Sequence, residues 1–204
     1  MSAPQALLFD VGNVLIDIDF EKAAQSWAQA DNRDWRSIME RFRPDRAYEA
    51  HERGEIDWAT YCVHLRDGLG LKLDDQVLAA GWNTIFRGPC DGIESLLSQV
   101  PEGVERYGFS NTNAVHHNFW STRYAQIFEP FTDVYCSHLI GHRKPDPKAF
   151  NTVLEHMGLA AEHVLFFDDA AENIQAASAL GIQAVHVGSP QDTRDGLVRA
   201  GLLD

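Results

Sequence analysis

The run Ala6-Leu7-Leu8-Phe9-Asp10-Val11-Gly12-Asn13-Val14-Leu15 decides how the rest of the chain is read. Four apolar residues in succession stop abruptly at Asp-x-Gly-Asn, the pattern of a fully buried strand running into a tight turn. A strand inside a parallel sheet is apolar on both faces, so an uninterrupted run is expected there rather than alternation. Asp10 then falls at the carboxyl end of the strand, where open α/β sheets place their ligands. A carboxylate at such an apolar lip is costly to desolvate unless a cation or donor meets it, so the sequence predicts that something does.

Downstream of Ile16-Asp17-Ile18, helical patterns follow one another without strand-like alternation from Phe20 to Phe86. Asp19 is placed to cap a helix from Phe20 to about Ala30, with Ala23, Ala24, Trp27 and Ala28 as its apolar stripe. Further helices are predicted over Trp35 to Phe42, from Asp45 to Arg53, from Asp57 to Gly68 or Gly70, and from Asp74 onward. Beyond Gly88-Pro89 the pattern becomes alternating: helix Asp91 to Gln99, strand Val104 to Phe109, helix Ala114 to Tyr124, strand Val134 to Cys136, helix Pro147 to Met157. Strand Val164 to Phe167, helix Glu172 to Leu180, strand Ala184 to Val187 and a last helix from Asp192 to Ala200 complete it. Strict β/α alternation implies parallel strands with right-handed crossovers. The predicted architecture is a doubly wound, Rossmann-like α/β core, residues 1–16 and 88–204, with an all-helical cap, residues 17–87, inserted after the first strand. An insertion there overhangs the strand ends toward which Asp10 points.

The bulk composition narrows the partners. With 204 residues, 45% hydrophobic and 23% charged, the chain is ordinary globular material. Thirty acidic residues against 17 basic ones give a net charge of −13, which argues against nucleic acid and against an anionic membrane surface. A small anionic substrate stays open, because a bound divalent cation reverses the local sign. Cys62, Cys90 and Cys136 are widely spaced and form no C-x-x-C pair, so they read as reduced thiols of a cytoplasmic protein rather than a disulfide frame or zinc site. Met1 to Gln5 show no basic region leading an apolar segment, and no stretch reaches membrane-spanning length. The oligomeric state is not legible.

Three further segments share the predicted rim. Ser110-Asn111-Thr112-Asn113 follows a strand and opens a helix, an arrangement that holds phosphate or merely caps the helix. Lys144 lies beside Pro145 in Gly141-His142-Arg143-Lys144-Pro145, available to neutralise Asp10 or a substrate oxygen, or else as a solvated loop lysine. Asp168-Asp169 ends an apolar strand. Adjacent carboxylates there make sense around a hard cation, or as one N-cap and one solvent-facing residue.

Taken in order, Asp-x-x-x-Val, Ser-Asn, Lys-Pro and Asp-Asp-x-x-x-Asn on successive strands resemble the haloacid dehalogenase superfamily over essentially the whole chain. The resemblance is closest to its small bacterial sugar-phosphatase branch with a helical cap, through Phe9 to Val14, His51 to Ile56, Phe109 to Asn113 and Arg143 to Pro145. That branch is known for α-D-glucose-1-phosphate phosphatase activity. The resemblance implies that Asp10 is a nucleophile forming an aspartyl-phosphate, with Ser110 and Lys144 as its catalytic partners. It implies Mg²⁺ held by Asp10, Asp169 and Asp168 with the Gly12 carbonyl. Asn13, Asn111, Asn113, His51 and Arg143 fall at substrate-binding positions, the turn N–H groups from Val11 to Asn13 at phosphate oxygens, and Asn173 where it would orient Lys144 or Asp169.

One departure matters. Most phosphatases of the superfamily carry a general-acid aspartate two residues after the nucleophile, where this chain has Gly12. Either a cap residue (His51 or Glu52) or water supplies the proton, or the substrate has a good leaving group, as an anomeric sugar oxygen is. Competing readings are a metal-free 2-haloacid dehalogenase, which the surplus carboxylate disfavours, and a catalytically inactive binding module of the same fold. His116 and His117 are neighbours on one helix and cannot face one metal together. His138 and His142 sit on a loop without Cys or Glu companions, so no zinc site is expected there. Trp27, Trp35, Trp58 and Trp82 recur at helical spacing and are assigned to the cap interior or its seam with the core.

Overall fold

The computed structural model describes residues 4–204; residues 1–3, part of the segment read for a leader and assigned to the core, lie outside them. Strand β1 (Ala6–Phe9) is followed by β2 (Ile16–Ile18) and five helices, α1 (Phe20–Ala30), α2 (Trp35–Met39), α3 (Arg46–Glu52), α4 (Trp58–Leu69) and α5 (Asp75–Trp82). Strand β3 (Phe86–Pro89) closes that insertion. Then come α6 (Ile93–Gln99), β4 (Glu105–Ser110), α7 (Ala114–Arg123), α8 (Ala125–Phe128), β5 (Asp133–Cys136), α9 (Ser137–Ile140) and α10 (Pro147–Met157). The chain finishes with β6 (Val164–Asp168), α11 (Ala171–Ala179), β7 (Gln183–His186) and α12 (Pro190–Arg199).

The main sheet has five parallel strands in the order β5-β4-β1-β6-β7. Strand β1 is central and buried on both faces, which is why its sequence shows no polar alternation. Alternate residues feed two cores: Leu7 and Phe9 join Leu96, Leu97, Trp120 and Leu197, while Ala6 and Leu8 join Phe150, Val153, Phe166 and Ala177 on the other face. Helices therefore cover both sides of the sheet. The chain runs outward from β1 through β4 to β5, then crosses back to β6 and β7 on the other side of β1, and this switch opens a crevice at the carboxyl ends. Phe9 is in register with Gly108 and Phe167, so Asp10, just past β1, and Asp168, ending β6, lie level, with Ser110 one residue further along β4.

The inserted helices have their own apolar centre, built on Ala24, Trp27, Tyr61, Leu65, Leu78 and Trp82, with Trp35 and Trp58 packed against it. Each begins at an aspartate whose side chain accepts a backbone N–H: Asp19 from Glu21, Asp34 from Arg36, Asp45 from Ala47 and Tyr48, Asp57 from Thr60, Asp74 from Val77. Caps of this kind contribute about 0.5–2 kcal/mol apiece. They fix the helix starts that the sequence predicts. The second predicted helix is shorter than expected, stopping at Met39 instead of Phe42.

Three features were not anticipated. Strands β2 and β3 form an antiparallel ribbon tying the entry and exit of the insertion together, hidden in sequence by its brevity and by the Gly88-Pro89 pair. Helices α8 and α9 are single turns of four residues, too short for any periodicity to register. No helix among the described residues is long and apolar enough to cross a membrane.

Trp27 and Trp82 stack with ring centroids 5.6 Å apart, and the Trp27 indole N–H donates to the Leu78 carbonyl at 3.0 Å. A Cβ on Gly81 would lie 2.3 Å from that nitrogen. Gly81→Ala gains about 1 kcal/mol of helix propensity, yet the buried indole cannot retreat without losing its stack and hydrogen bond. The substitution is predicted to destabilise the protein by about 1–3 kcal/mol overall, read by urea denaturation followed through tryptophan fluorescence. An unchanged or raised midpoint would contradict this packing.

Candidate active site

Lys144 is 1% exposed, and its ammonium group is fully enclosed by partners. Its Nζ lies 2.9 Å from Asp10 Oδ1 and 2.7 Å from Asp168 Oδ2, and donates to the Phe109 carbonyl at 2.7 Å. The rings of Phe109 and Phe166 flank it at 5.0 and 5.4 Å. The side chain of Asn111 clamps the same loop twice, accepting from Lys144 N and donating to Lys144 O, both at 2.8 Å. Desolvation pulls the Lys144 pKa down, but the Asp10 and Asp168 carboxylates more than offset it, leaving it above the usual lysine range. Burial raises Asp10 to about 7 against the pull of Lys144. One ammonium group does not supply enough positive charge for this rim.

The paired aspartates have different surroundings. Asp168 is completely buried, and both its oxygens are occupied: Oδ1 by Ala170 N–H at 2.8 Å and Asn173 Nδ2 at 2.9 Å, Oδ2 by Lys144 and by Asn173 at 3.0 Å. That fills the acceptor positions a carboxylate offers. Asn173 thus bonds Asp168, through which it holds Lys144, rather than contacting Lys144 or Asp169 directly. Asp169 is half-buried and accepts from Asn13 Nδ2 at 2.8 Å. Asn13 stands at φ 56°, and its Oδ1 accepts the Ile18 N–H at 3.2 Å. Val11 N–H bonds Asp10 Oδ1 and Asn13 N–H bonds the Ile16 carbonyl, so two of the three turn donors expected at phosphate are committed within the protein.

Above the rim is a cavity of about 220 Å³ lined by Asp10, Gly12, Asn13, Ser110, Asn111, Arg143, Lys144, Asp169 and Asn173. Two expected substrate contacts are absent from its wall. Asn113 caps α7, accepting from His116 N–H, and is 1% exposed. His51 is turned into the cap, stacked on Tyr61 at 4.5 Å, where burial lowers its pKa to about 4. The wall instead includes Ile18, Phe20, Tyr48, Glu52, His116, Trp120 and Glu172, which sequence reasoning did not place there apart from raising Glu52 as a proton donor. Glu52 pairs with Arg143 Nε at 2.8 Å across the cap–core seam, and burial raises its pKa despite that partner. An α3 pattern with Tyr48 and Glu52 one turn apart was the available signal. A Cβ on Gly12 would meet Ile18 Cδ1 at 3.0 Å, so the apolar Ile18 side chain stands beside the position from which an acid is missing.

The wall's carboxyl groups are Asp10, Glu52, Asp169 and Glu172 and its cationic side chains Arg143 and Lys144, four to two. Asp10, Asp168 and Asp169 bring carboxylate oxygens within 4.8 Å of one another. The sequence of residues 4–181 matches the family model of haloacid dehalogenase-like hydrolases. The chain belongs to that family. This hydrolase is 24% identical over 196 residues to a D-ribitol-5-phosphate phosphatase of Bacteroides thetaiotaomicron, covering 94% of this chain and 95% of the relative. It is 28% identical over 191 residues to a sesquiterpene phosphatase of Aspergillus oryzae, covering 90% and 89%. Among solved structures, a haloacid dehalogenase family enzyme of Bacteroides thetaiotaomicron in complex with magnesium and inorganic phosphate superposes with a TM-score of 0.78 at 26% identity, covering 91% of this chain and 95% of that one.

In the metal-free hydrolase, Asp10 binds more protons folded than unfolded between about pH 4 and 7, so its contribution to stability falls as pH rises through that window. Lys144→Met keeps the apolar stem but strips the ammonium group from two buried carboxylates. The variant is predicted to lose about 3–5 kcal/mol of stability in EDTA at pH 8. The loss is smaller at pH 5, where Asp10 takes up its proton. Denaturant titrations at the two pH values measure this; an equal loss at both would show that the deficit is not electrostatic.

Proposed function

We propose that the protein is a cytoplasmic, Mg²⁺-dependent phosphatase of small phosphorylated metabolites, acting through an aspartyl-phosphate on Asp10. In this reading residues 1–16 and 88–204 form the catalytic core and residues 17–87 the cap. The observation that carries it is the convergence of Asp10, Lys144, Ser110 and Asp169, from four separate loops, on one small and negatively charged cavity. Such a wall repels a phosphate dianion unless a cation joins it. The donors offered by Asp10, Asp169 and the Gly12 carbonyl are hard oxygens suited to Mg²⁺, and phosphatase relatives and a magnesium–phosphate complex of a similar enzyme support the choice. Asp168 joins the ligands only by giving up one of its present donors. The ion would neutralise charge on the nucleophile and the transferring group.

Asp10 Oδ1 is held by Val11 N–H and Lys144, which leaves Oδ2 to attack phosphorus. The new P–O bond forms as the bond to the leaving oxygen breaks. Ser110 and the Gly12 N–H are placed to hold phosphoryl oxygens, and Lys144 stabilises the developing charge. Water then attacks phosphorus, releasing phosphate and the Asp10 carboxylate. Arg143, fixed by Glu52 and by Glu49 at 3.3 Å, faces the organic part of the substrate. With Gly12 in place of an acid, a substrate whose leaving oxygen needs little protonation is favoured, and a glycosyl 1-phosphate such as α-D-glucose 1-phosphate meets that demand.

A sugar-phosphate panel assayed by phosphate release tests this. The 1-phosphates are predicted to turn over faster than the matching 6-phosphates, with activity abolished by EDTA, restored by Mg²⁺, and absent in Asp10→Asn. Equal rates on both esters would remove the leaving-group argument and transfer proton donation to Glu52. Halide release from a 2-haloacid without metal, or equal inertness of wild type and Asp10→Asn, would overturn the phosphatase reading.

A further inference from the structure

A second convergence of three metal-ligating side chains lies away from the acidic rim. Cys136 ends β5, His138 stands two residues later in α9, and His117 projects from α7. Their Sγ and ring nitrogens all lie within 4.8 Å of one another. The sequence offers His142 as the partner of His138 and shows no thiol in that loop. The fold instead supplies the thiol from the strand just upstream and the other imidazole from the neighbouring helix.

We propose that His117, Cys136 and His138 form a second metal site, for a borderline-soft divalent ion of the zinc type. The donor set is two imidazoles and one thiolate, which suits Zn²⁺ in a tetrahedral site with water as its fourth ligand and does not suit Mg²⁺. Zinc bonds of about 2.0–2.1 Å to nitrogen and about 2.3 Å to sulfur put tetrahedral donors roughly 3.3–3.8 Å apart. The present upper limit of 4.8 Å exceeds that spacing by roughly 1.0–1.5 Å. His138 Nδ1 is buried and has no hydrogen-bond partner. The Cys136 thiol is buried as well, its closest acceptor the Val134 carbonyl at 3.9 Å.

Protonation states support the geometry. Burial holds His117 and His138 below the usual histidine range, His138 at about 4, so both rings keep a lone pair at neutral pH. Burial also pushes the Cys136 thiol up to about 12 in the metal-free protein. Ion binding therefore displaces the thiol proton to solvent as the metal–sulfur bond forms. The location gives the ion a structural consequence. Ser137, between two of the ligands, donates its hydroxyl to the Glu52 carbonyl at 2.6 Å and accepts the Thr112 N–H at 2.8 Å. The His138 carbonyl also closes on Gly54, 2.5 Å from where a Cβ would stand. An ion here braces the segment against which the end of α3 rests.

Chelator-stripped protein loaded with Co²⁺ in excess Mg²⁺ tests the proposal independently of any phosphatase activity. The expected result is close to one cobalt retained per chain, with tetrahedral d–d bands and a thiolate-to-cobalt charge-transfer band. Both signals should disappear in Cys136→Ser and in His117→Gln, survive in Asp169→Asn, and be displaced by Zn²⁺. Circular dichroism confirms folding of each variant. Should Cys136→Ser fail to fold, His117→Gln decides, since that residue is only half-buried on a helix. Failure to retain cobalt, an octahedral spectrum without the charge-transfer band, or a band that persists in the variants would overturn the proposal.

Discussion

A buried ammonium group between two carboxylates holds this molecule's catalytic rim together. Lys144 touches Asp10 after β1, Asp168 at the end of β6 and the Phe109 carbonyl near the end of β4, so one side chain links three neighbouring strands. Desolvating three charges is expensive, and the arrangement is stable only because each has fixed partners. Asn173 and Ala170 hold Asp168, Val11 holds Asp10, and Asn111 holds the lysine's own backbone. What remains is a deficit of positive charge, visible in the high pKa of Asp10. A site built this way awaits a divalent ion and, with it, an anionic substrate.

The cap completes the wall without entering that charge network. Phe20, Ile18 and Tyr48 supply apolar and aromatic surface, while Glu52 reaches Arg143 on the core side. Each part has its own hydrophobic cluster, and the seam mixes the Glu52–Arg143 pair with apolar contacts: Phe86 packs against both clusters, Val115 of α7 against the cap's, and His116 stacks on Trp82 at 4.7 Å. In the proposed reaction chemistry and selectivity are divided: the strand ends would act on the phosphoryl group, and cap side chains would face whatever it is attached to. The Ser137 hydroxyl anchors the seam next to the His117–Cys136–His138 cluster by donating to the Glu52 carbonyl.

The fold was legible because its decisive signals are local. The apolar run before Asp10, the four capping aspartates Asp19, Asp45, Asp57 and Asp74, and strict β/α alternation each follow from backbone physics within a few residues. Residues next to strand ends that the fold brings to one cavity wall, such as Asp10, Ser110 and Asp169, were legible for the same reason. Those that escaped depend on tertiary placement. Asn113 looks like a phosphate ligand but is turned back onto its own helix, and His51 lies one residue from the wall yet points the other way. Ile18 and Phe20 give no chemical signal at all. Cys136 and His117 are 19 positions apart and meet only because α7 lies beside β5.

The account stands on Asp10 as the covalent carrier of phosphate, and trapping that species tests it most directly. Protein turning over a sugar 1-phosphate with Mg²⁺ is quenched in acid, digested and analysed by mass spectrometry. The account predicts a phosphoryl increment on the peptide carrying Asp10, sensitive to hydroxylamine and absent from Asp10→Asn. Turnover with no labelled peptide, or with the label on another residue, would contradict it.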